Sequence, residues 1–308
     1  GTPIENRLSE LWSIFDFLMP GFLFAYDSFR TGIEMPIVRN EDTQAMERLH
    51  RMIAPFILRR LKKDVLKDLP DKLEEIRYAG MEGKQQKLYD AQVIRMRNDL
   101  QQQSENDFRR SRIQILAELT RIRQICCDPS LCFTNYDGES AKTELCMELL
   151  HSLMDGGHRT LVFSQFTSML EILQKRLDAE RIPYYLISGS TSKEERLKRV
   201  KAFNEGEVPV FLISLKAGGT GLNLVGADSV IHFDPWWNTA AESQASDRAH
   251  RIGQTRTVTV YKLVAKGTIE EKIVAMQQQK AKLAEDILGG EGVGSAVLSK
   301  EELMEILG

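Results

Sequence analysis

Cysteine is scarce and poorly spaced for chemistry. The 308 residues hold four of them, Cys126, Cys127, Cys132 and Cys146, with one adjacent pair and no CxxC. That pattern fits neither a Cys-ligated zinc site nor a disulfide framework, and it leads us to expect reduced thiols in an intracellular chain. Long hydrophobic runs are missing too. None approaches the roughly 18 residues of a membrane span, and nothing reads as a secretory leader, so no membrane partner is expected. Neither charge sign dominates, with 41 Lys and Arg against 44 Asp and Glu for a net −3. This balance argues against coating nucleic acid by bulk positive charge. Any nucleic-acid site has to be local.

One further absence bears on catalysis. A nucleoside-triphosphate loop needs GxxxxGK[ST], because its Lys reaches the β- and γ-phosphates and its hydroxyl holds magnesium. The glycine-rich KAGGTG comes nearest, but Leu222 and Asn223 follow Gly221. The chain has no Walker Lys and no paired acidic motif, so its own residues are not expected to form a metal site. It opens on Gly1 rather than Met, as expected of a piece cut from a longer protein.

What is present divides into two styles. Residues 1 to about 130 read as helical throughout. SELWSIFDFL sets Leu11, Trp12, Ile14, Phe15 and Leu18 at helical spacing before Pro20 and Gly21, and QAMERLHRMI repeats the pattern with Met46, Leu49, Met52 and Ile53. The basic RRLKKDVLKDLPDK, containing Pro70, reads as a linker. Two long patterns follow, one with Leu88, Ala91 and Ile94 on its apolar face and one with Ile115, Leu119, Ile122 and Cys126. They suggest an antiparallel helical pair.

From about residue 141 the pattern alternates. TELCMELLHSLM, MLEILQKRLDAERI, EERLKRVKAFNEG and TAAESQASDRAH read as helices, separated by the short β-branched runs RTLVF, PYYLI, VPVFLI, DSVIHF and VTVYKLV. This rhythm predicts βαβ units and a parallel sheet covered on both faces, an α/β fold. A long amphipathic helix, TIEEKIVAMQQQKAKLAEDIL, follows, then a flexible GGEGVGSA and a short SKEELMEIL helix.

Ligands on such sheets bind at the carboxyl ends of the strands. Three loops there share a composition: FSQFTS, SGSTS and SLKAGGTGLNL. Small hydroxyl and glycine residues let backbone N–H groups and hydroxyls approach an anionic chain, and Lys216 adds a charge. Any one of these is also an ordinary βα turn; three at one sheet edge point to a phosphate backbone. In DPWWN, Trp236 and Trp237 cannot both face the core of a regular element, and an exposed indole can stack or wedge against nucleic acid. In QASDRAHRIGQ, Arg248 and Arg251 stand three apart on an expected helix, with Gln244 a turn earlier. They read as two surface arginines, one pairing with Asp247 or Glu242, or as a fork for an anion.

The order FSQF, SGST, SLKAGGTGLNL, DPWWN, QASDRAHRIGQ resembles the second-lobe motif series of the SWI/SNF-like ATPases, double-stranded DNA translocases within the superfamily-two helicases. The opening GTPIENRLSELWSIFDFLMPG, the stretch APFILRRLKKDVLKDLP and the later TIEEKI are similar to family segments as well, so the resemblance covers nearly the whole chain. It implies a RecA-like three-layer parallel sheet with helices on both faces, preceded by a helical region. In this division residues 1–20 end a first RecA-like lobe, 21–140 form helical protrusions and a linker, 141–268 form the second lobe, and 269–308 form a brace helix and tail.

Carried over by position, the resemblance implies that Arg248 and Arg251 meet the γ-phosphate of ATP, with Gln244 in the same motif and Gly221 and Asn223 near the nucleotide. Ser164, Gln165, Gly189, Ser190, Thr191, Ser214 and Lys216 would line a DNA backbone track, with Trp237 at the groove. Thr239 stands where the family usually has proline. ATP and Mg2+ would be held mainly by a first lobe outside these 308 residues, which alone would be inactive, and double-stranded DNA would be the partner. The compact insertions suggest a bacterial cytoplasm or nucleoid rather than a nucleus. The alternative is a stand-alone nucleic-acid or protein binding module with vestigial motifs.

Overall fold

A computed structural model describes residues 8–40, 42–57, 69–218, 221–236, 239–288 and 300–308. The described residues divide into two compact units, a helical one of residues 8–57 with 239–240 and 275–288, and a larger one within 69–236, 241–274 and 300–308. Within the helical unit, α1 (Leu8–Leu18), a helical run over 26–40 and α2 (Thr43–Ile53) bury Leu11, Phe15, Phe29, Ile33, Leu49 and Ile53 together. Asp42 starts α2 by accepting the Gln44 and Ala45 N–H groups at 2.9 and 3.1 Å, satisfying two of the donors that a helix start leaves open. Ile14 and Leu18, which helical spacing assigned to the inner face of α1, are exposed.

The larger unit is built on six parallel strands: β1 (Lys72–Ala79), β2 (Thr160–Ser164), β3 (Tyr184–Ile187), β4 (Val210–Ser214), β5 (Ser229–His232) and β6 (Val258–Ala265), in the order β1-β6-β5-β2-β4-β3. Alternate side chains go to opposite faces, as the two-residue period of a strand requires. Leu161, Phe163, Phe211 and Ile213 enter one core, while Val162, Val210 and Leu212 enter the other. The first core is closed by Phe203 of α7 (Lys193–Glu205) and Ala245 of α8 (Thr239–Ser246). The second is closed by α5 (Ala141–Asp155) and α6 (Thr167–Ala179), through Met147, Leu150, Leu170 and Leu173. Three layers with helices on both faces are the expected RecA-like arrangement.

The reading of residues 1 to 130 as helical throughout is corrected by β1. KLEEIRYA lies at the sheet edge, pairs with β6 in register from Lys72–Val258 to Ala79–Ala265, and leaves most side chains exposed. A charged edge strand has no continuous apolar signature, so periodicity passes over it. The helical pair is present as α3 (Gly83–Gln102) and α4 (Arg112–Cys127). Gln85 reaches the Ile125 carbonyl and Gln92 reaches Glu118, so the pairing index falls on one helix as it rises on the other: the two run antiparallel. On α4 the expected face is buried, whereas α3 buries Gln85, Tyr89, Gln92, Val93 and Met96 and leaves Ile94 58% exposed. Two buried glutamines with partners were the features that displaced its apparent apolar face.

After β6, α9 (Ile269–Leu288) begins, and α10 (Lys300–Ile306) ends the chain. The GGEGVGSA segment lies outside the described residues. Among the described residues, no helix is long and apolar enough to cross a membrane.

Candidate functional site

Parallel strands put all their carboxyl ends on one edge, and the strand order sets which loops are neighbours. Across that edge, along β3, β4, β2 and β5, follow SGST, SLKAG, SQF and DPW. The motifs are scattered in sequence; the sheet brings them into one row.

SGST closes on itself. The Ser188 N–H donates to Thr191 Oγ1 at 3.0 Å, and Ser188 and Ser190 share a hydroxyl contact at 2.8 Å. Arg196 on α7 braces the loop by donating to the carbonyls of Thr191 and Ser188. Gly189 and Ser190 remain exposed at the tip, with open space around the Gly189 Cα. Ser214 is buried at the end of β4, its hydroxyl accepting the Ala217 N–H at 3.4 Å. Lys216 lies in the short helix Leu215–Gly218, and its side chain is outside what the structure describes. Trp237 lies outside the described residues.

The SQF and DPW loops are joined through Asp234, which is fully buried. Its carboxylate accepts the Ser164 hydroxyl, the Gln165 N–H and the Gln165 side-chain amide. Ser164 is likewise buried, and its Oγ also accepts the Phe166 N–H at 3.1 Å. The Ser164 hydroxyl and Gln165 amide are therefore engaged inside the protein. What they do there is hold a βα turn in shape.

The arginine motif departs from the expected single helix. α8 ends at Ser246: Asp247 N still reaches the Ser243 carbonyl at 2.9 Å, but Arg248 N and Ala249 N turn back to Ala245 and Ser246 at 3.2 and 3.1 Å, a tightened i−3 pattern. Gln244 is half-buried on α8, while Arg248 and Arg251 lie in the turns beyond. The Leu224 N–H donates to the Arg248 carbonyl at 3.0 Å, which ties the exposed Gly221 and Asn223 loop directly to the arginine segment. Gly221 has a positive φ of 37° and open space about its Cα, and Asn204 on α7 holds the loop by donating to the Asn223 carbonyl at 3.0 Å.

Arg248 is only 4% exposed, yet its Nε and Nη1 have no hydrogen-bond partner. Burial, reinforced by the like charge of Arg251, brings its pKa down from 12.5 to about 10. Arg251 is better satisfied, its Nε donating to the Asp247 carbonyl at 3.1 Å. Two guanidinium groups in mutual repulsion, one with buried unpaired donors, make a site that an anionic oxygen would relieve. Of the two arginines, Arg248 is thus not a surface residue. Glu242 is buried and takes Lys262 at 3.0 Å and the Trp236 N–H at 3.2 Å.

Sequence reasoning missed three residues. Gln254, the last residue of the motif, donates to the carbonyls of Val225, Ala227 and Ala249 at 3.2, 2.7 and 3.0 Å and fixes the turn that carries both arginines. Asp234 joins two loops, and Glu242 joins the DPW loop to α8 and to β6. Each lay within a quoted motif, but its partners are 20 to 70 residues away or approach through the backbone, which spacing does not reveal. Among the described residues, no group of three or more His, Cys, Asp or Glu is placed to hold a metal.

Two family descriptions match the chain: SNF2-related domain over residues 1–131 and Helicase conserved C-terminal domain over residues 141–253. YwqA of Bacillus subtilis, whose description includes the words ATP-dependent helicase/translocase, is 39% identical over 314 residues, covering 99% of this chain and 34% of that protein. The chain spans about a third of the length of such curated relatives. Among solved structures, the Sulfolobus solfataricus SWI2/SNF2 ATPase core in complex with dsDNA is 36% identical with a TM-score of 0.64, over 99% of this chain and 65% of that one. The Sulfolobus solfataricus SWI2/SNF2 ATPase C-terminal domain is 30% identical with a TM-score of 0.62, over 77% of this chain and 98% of that one.

Proposed function

The chain belongs to the SWI2/SNF2 ATPase family, and from that premise we propose that its sheet unit is the second motor lobe of an ATP-dependent double-stranded DNA translocase. The observation that carries this reading is the buried guanidinium of Arg248 beside Arg251, with its Nε and Nη1 unpaired. An enzyme that kept such a group for structure alone would gain stability by replacing it; a group awaiting a phosphate oxygen has a reason to stay unpaired.

In this reading Arg248 and Arg251 stabilise charge on the equatorial oxygens of a transferring phosphoryl group. Arginines supplied from across a cleft contribute roughly 10³ to 10⁵ in rate, about 4 to 7 kcal/mol. Gly221 and Asn223 border the nucleotide in the same reading, which the Leu224 N–H bond to the Arg248 carbonyl supports. The nucleotide and its Mg2+, which supplies charge neutralisation when bound, are gripped mainly by another lobe of a longer protein; the orphaned donors fit that role for the arginines, and the chain carries no Walker loop. Hydrolysis then requires the lobes to close, and repeated closure moves duplex DNA along the row of carboxyl-edge loops. There SGST offers exposed backbone and hydroxyls, while Ser164 and Gln165 act by shaping the loop.

The test is ATP turnover by the full-length protein that carries this segment, with and without duplex DNA. We expect DNA-stimulated hydrolysis, negligible turnover by the 308 residues alone, and a fall of roughly 10³-fold or more in Arg251→Ala with duplex binding retained. Turnover that survives in Arg251→Ala overturns the arginine assignment. Tight duplex binding and a functional output from the 308 residues alone would instead favour the stand-alone binding module.

A further inference from the structure

Resting on the reading of the carboxyl-edge loops as a DNA-facing track, we propose that Arg123 is a positioning residue. It locks the SQF and DPW loops into one arrangement and so sets how duplex DNA is coupled to ATP turnover. Arg123 belongs to α4, outside every motif of the sheet. It is 3% exposed, and its guanidinium spans two chain segments that are 70 residues apart. Nη1 donates to Gln165 Oε1 at 3.1 Å, and Nη2 donates to the Pro235 carbonyl. The guanidinium carbon lies 5.9 Å from the centre of the Phe166 ring.

These contacts close a ring. Gln165 accepts from Arg123 with its side-chain oxygen and donates to Asp234 with its nitrogen, so its amide is fixed from both sides. Asp234 is bonded in turn to Ser164 and precedes Pro235, whose carbonyl returns to Arg123. A planar guanidinium can serve two acceptors at a fixed angle; a lysine ammonium is a single point charge on a flexible stem and does not reproduce the fork. The other end of the lever is firm as well. Ile122, Ile125 and Cys126 of α4 are fully buried, and α3 grips α4 through Gln85 and Gln92. A displacement of the helical pair is therefore delivered to both loops through one side chain.

The same DPW loop is held on its far side by Glu242 of α8, which accepts the Trp236 N–H. α8 leads directly into the turn carrying Arg248. Arg123 thus stands at the start of a continuous set of contacts that runs from the helical pair, through the two loops, to the arginine segment. Its effect on catalysis is through position, since it touches no reacting atom in this arrangement.

The experiment uses the full-length protein, ATP and a mixed-sequence duplex oligonucleotide. For Arg123→Gln we expect the duplex concentration giving half-maximal stimulation to rise about tenfold, the size expected when a charge-assisted hydrogen bond is lost. KM for ATP and turnover without DNA should stay within about twofold, a split that a general loss of folding would not give. Arg123→Lys should restore only part of the coupling. In a double-mutant cycle with Gln165→Leu, the two effects should combine to less than their product, because both cut one link. If Arg123→Gln does not fold, Arg123→Lys carries the same cycle. Effects that multiply, or a half-saturating duplex concentration that does not move, overturn the inference while leaving the motor reading intact. A wild-type protein with no DNA stimulation overturns the motor reading, and this inference with it.

Discussion

Burying Arg248 with two nitrogens unpaired costs the free protein on the order of 1 to 3 kcal/mol, the usual penalty for an unsatisfied buried polar group. Its depressed pKa of about 10 gives the sign: the folded state disfavours the charge, so the cost is present throughout the neutral range and fades only as pH rises through that value. Arg248→Met, of similar length and apolar, should therefore raise the unfolding midpoint of the free protein while lowering ATP turnover of the full-length form by roughly 10³-fold. A lower midpoint would show that Arg248 is structural. His232 has the same sign in a lower pH range. Burial holds its imidazole below the ordinary 6.5, against the pull of Glu242, while Nε2 meets the Ser246 hydroxyl at 2.8 Å. A histidine kept neutral in the fold but free to protonate when unfolded contributes stability that is present above 6.5 and lost as pH falls. Denaturant midpoints at pH 7 and pH 5 should converge for His232→Gln relative to the parent; equal acid losses in both would remove His232 from the account. Both effects were hidden in the sequence, which shows residue type but not which donors are left without partners.

Between elements, a fully buried pair joins Lys142 on α5 to Glu270 at the start of α9, at 2.9 Å to both carboxylate oxygens. Burial alone would lower the ammonium, but the carboxylates of Glu270 and Asp234 hold it above its ordinary value. Glu270 also accepts the Ala265 N–H at the end of β6, so one carboxylate anchors both a helix start and a strand end. Lys142→Met alone should destabilise by about 3 to 5 kcal/mol because it strands a buried charge, whereas Lys142→Met with Glu270→Gln should recover most of that loss. Urea unfolding of the single and double variants decides it: an equally unstable double variant would mean that packing, not charge, sets the cost. The elements themselves were legible unevenly. The five hydrophobic strands and their covering helices follow from periodicity, since a strand buried on both faces must be apolar along its length. β1 did not, because an edge strand can be charged. The end of α8 was equally invisible, since its tightening depends on Leu224 and Gln254 binding the turn from elsewhere in the chain.

At the scale of the whole molecule, a net charge of −3 means that, on the proposed reading, duplex binding by these residues has to come from a few local contacts. Log affinity should therefore fall with log salt at a slope of about −0.9 per neutralised phosphate, and the slope should be shallow. Titration of the full-length protein with one duplex at several salt concentrations measures it; a steep slope would point to a broad basic surface elsewhere in that protein. The sequence by itself determined the α/β class, the motif series and the lack of a phosphate-gripping loop, because each rests on local pattern or on residues that are present or missing at fixed spacing. Only the tertiary structure decided that SGST, SLKAG, SQF and DPW form one row, that Ser164 and Gln165 turn inward to Asp234, that Arg248 is buried with its Nε and Nη1 unpaired, and that Arg123 clamps two loops. These depend on hydrogen bonds and burial between residues far apart in the chain, which the parallel order of the strands creates and no local periodicity encodes.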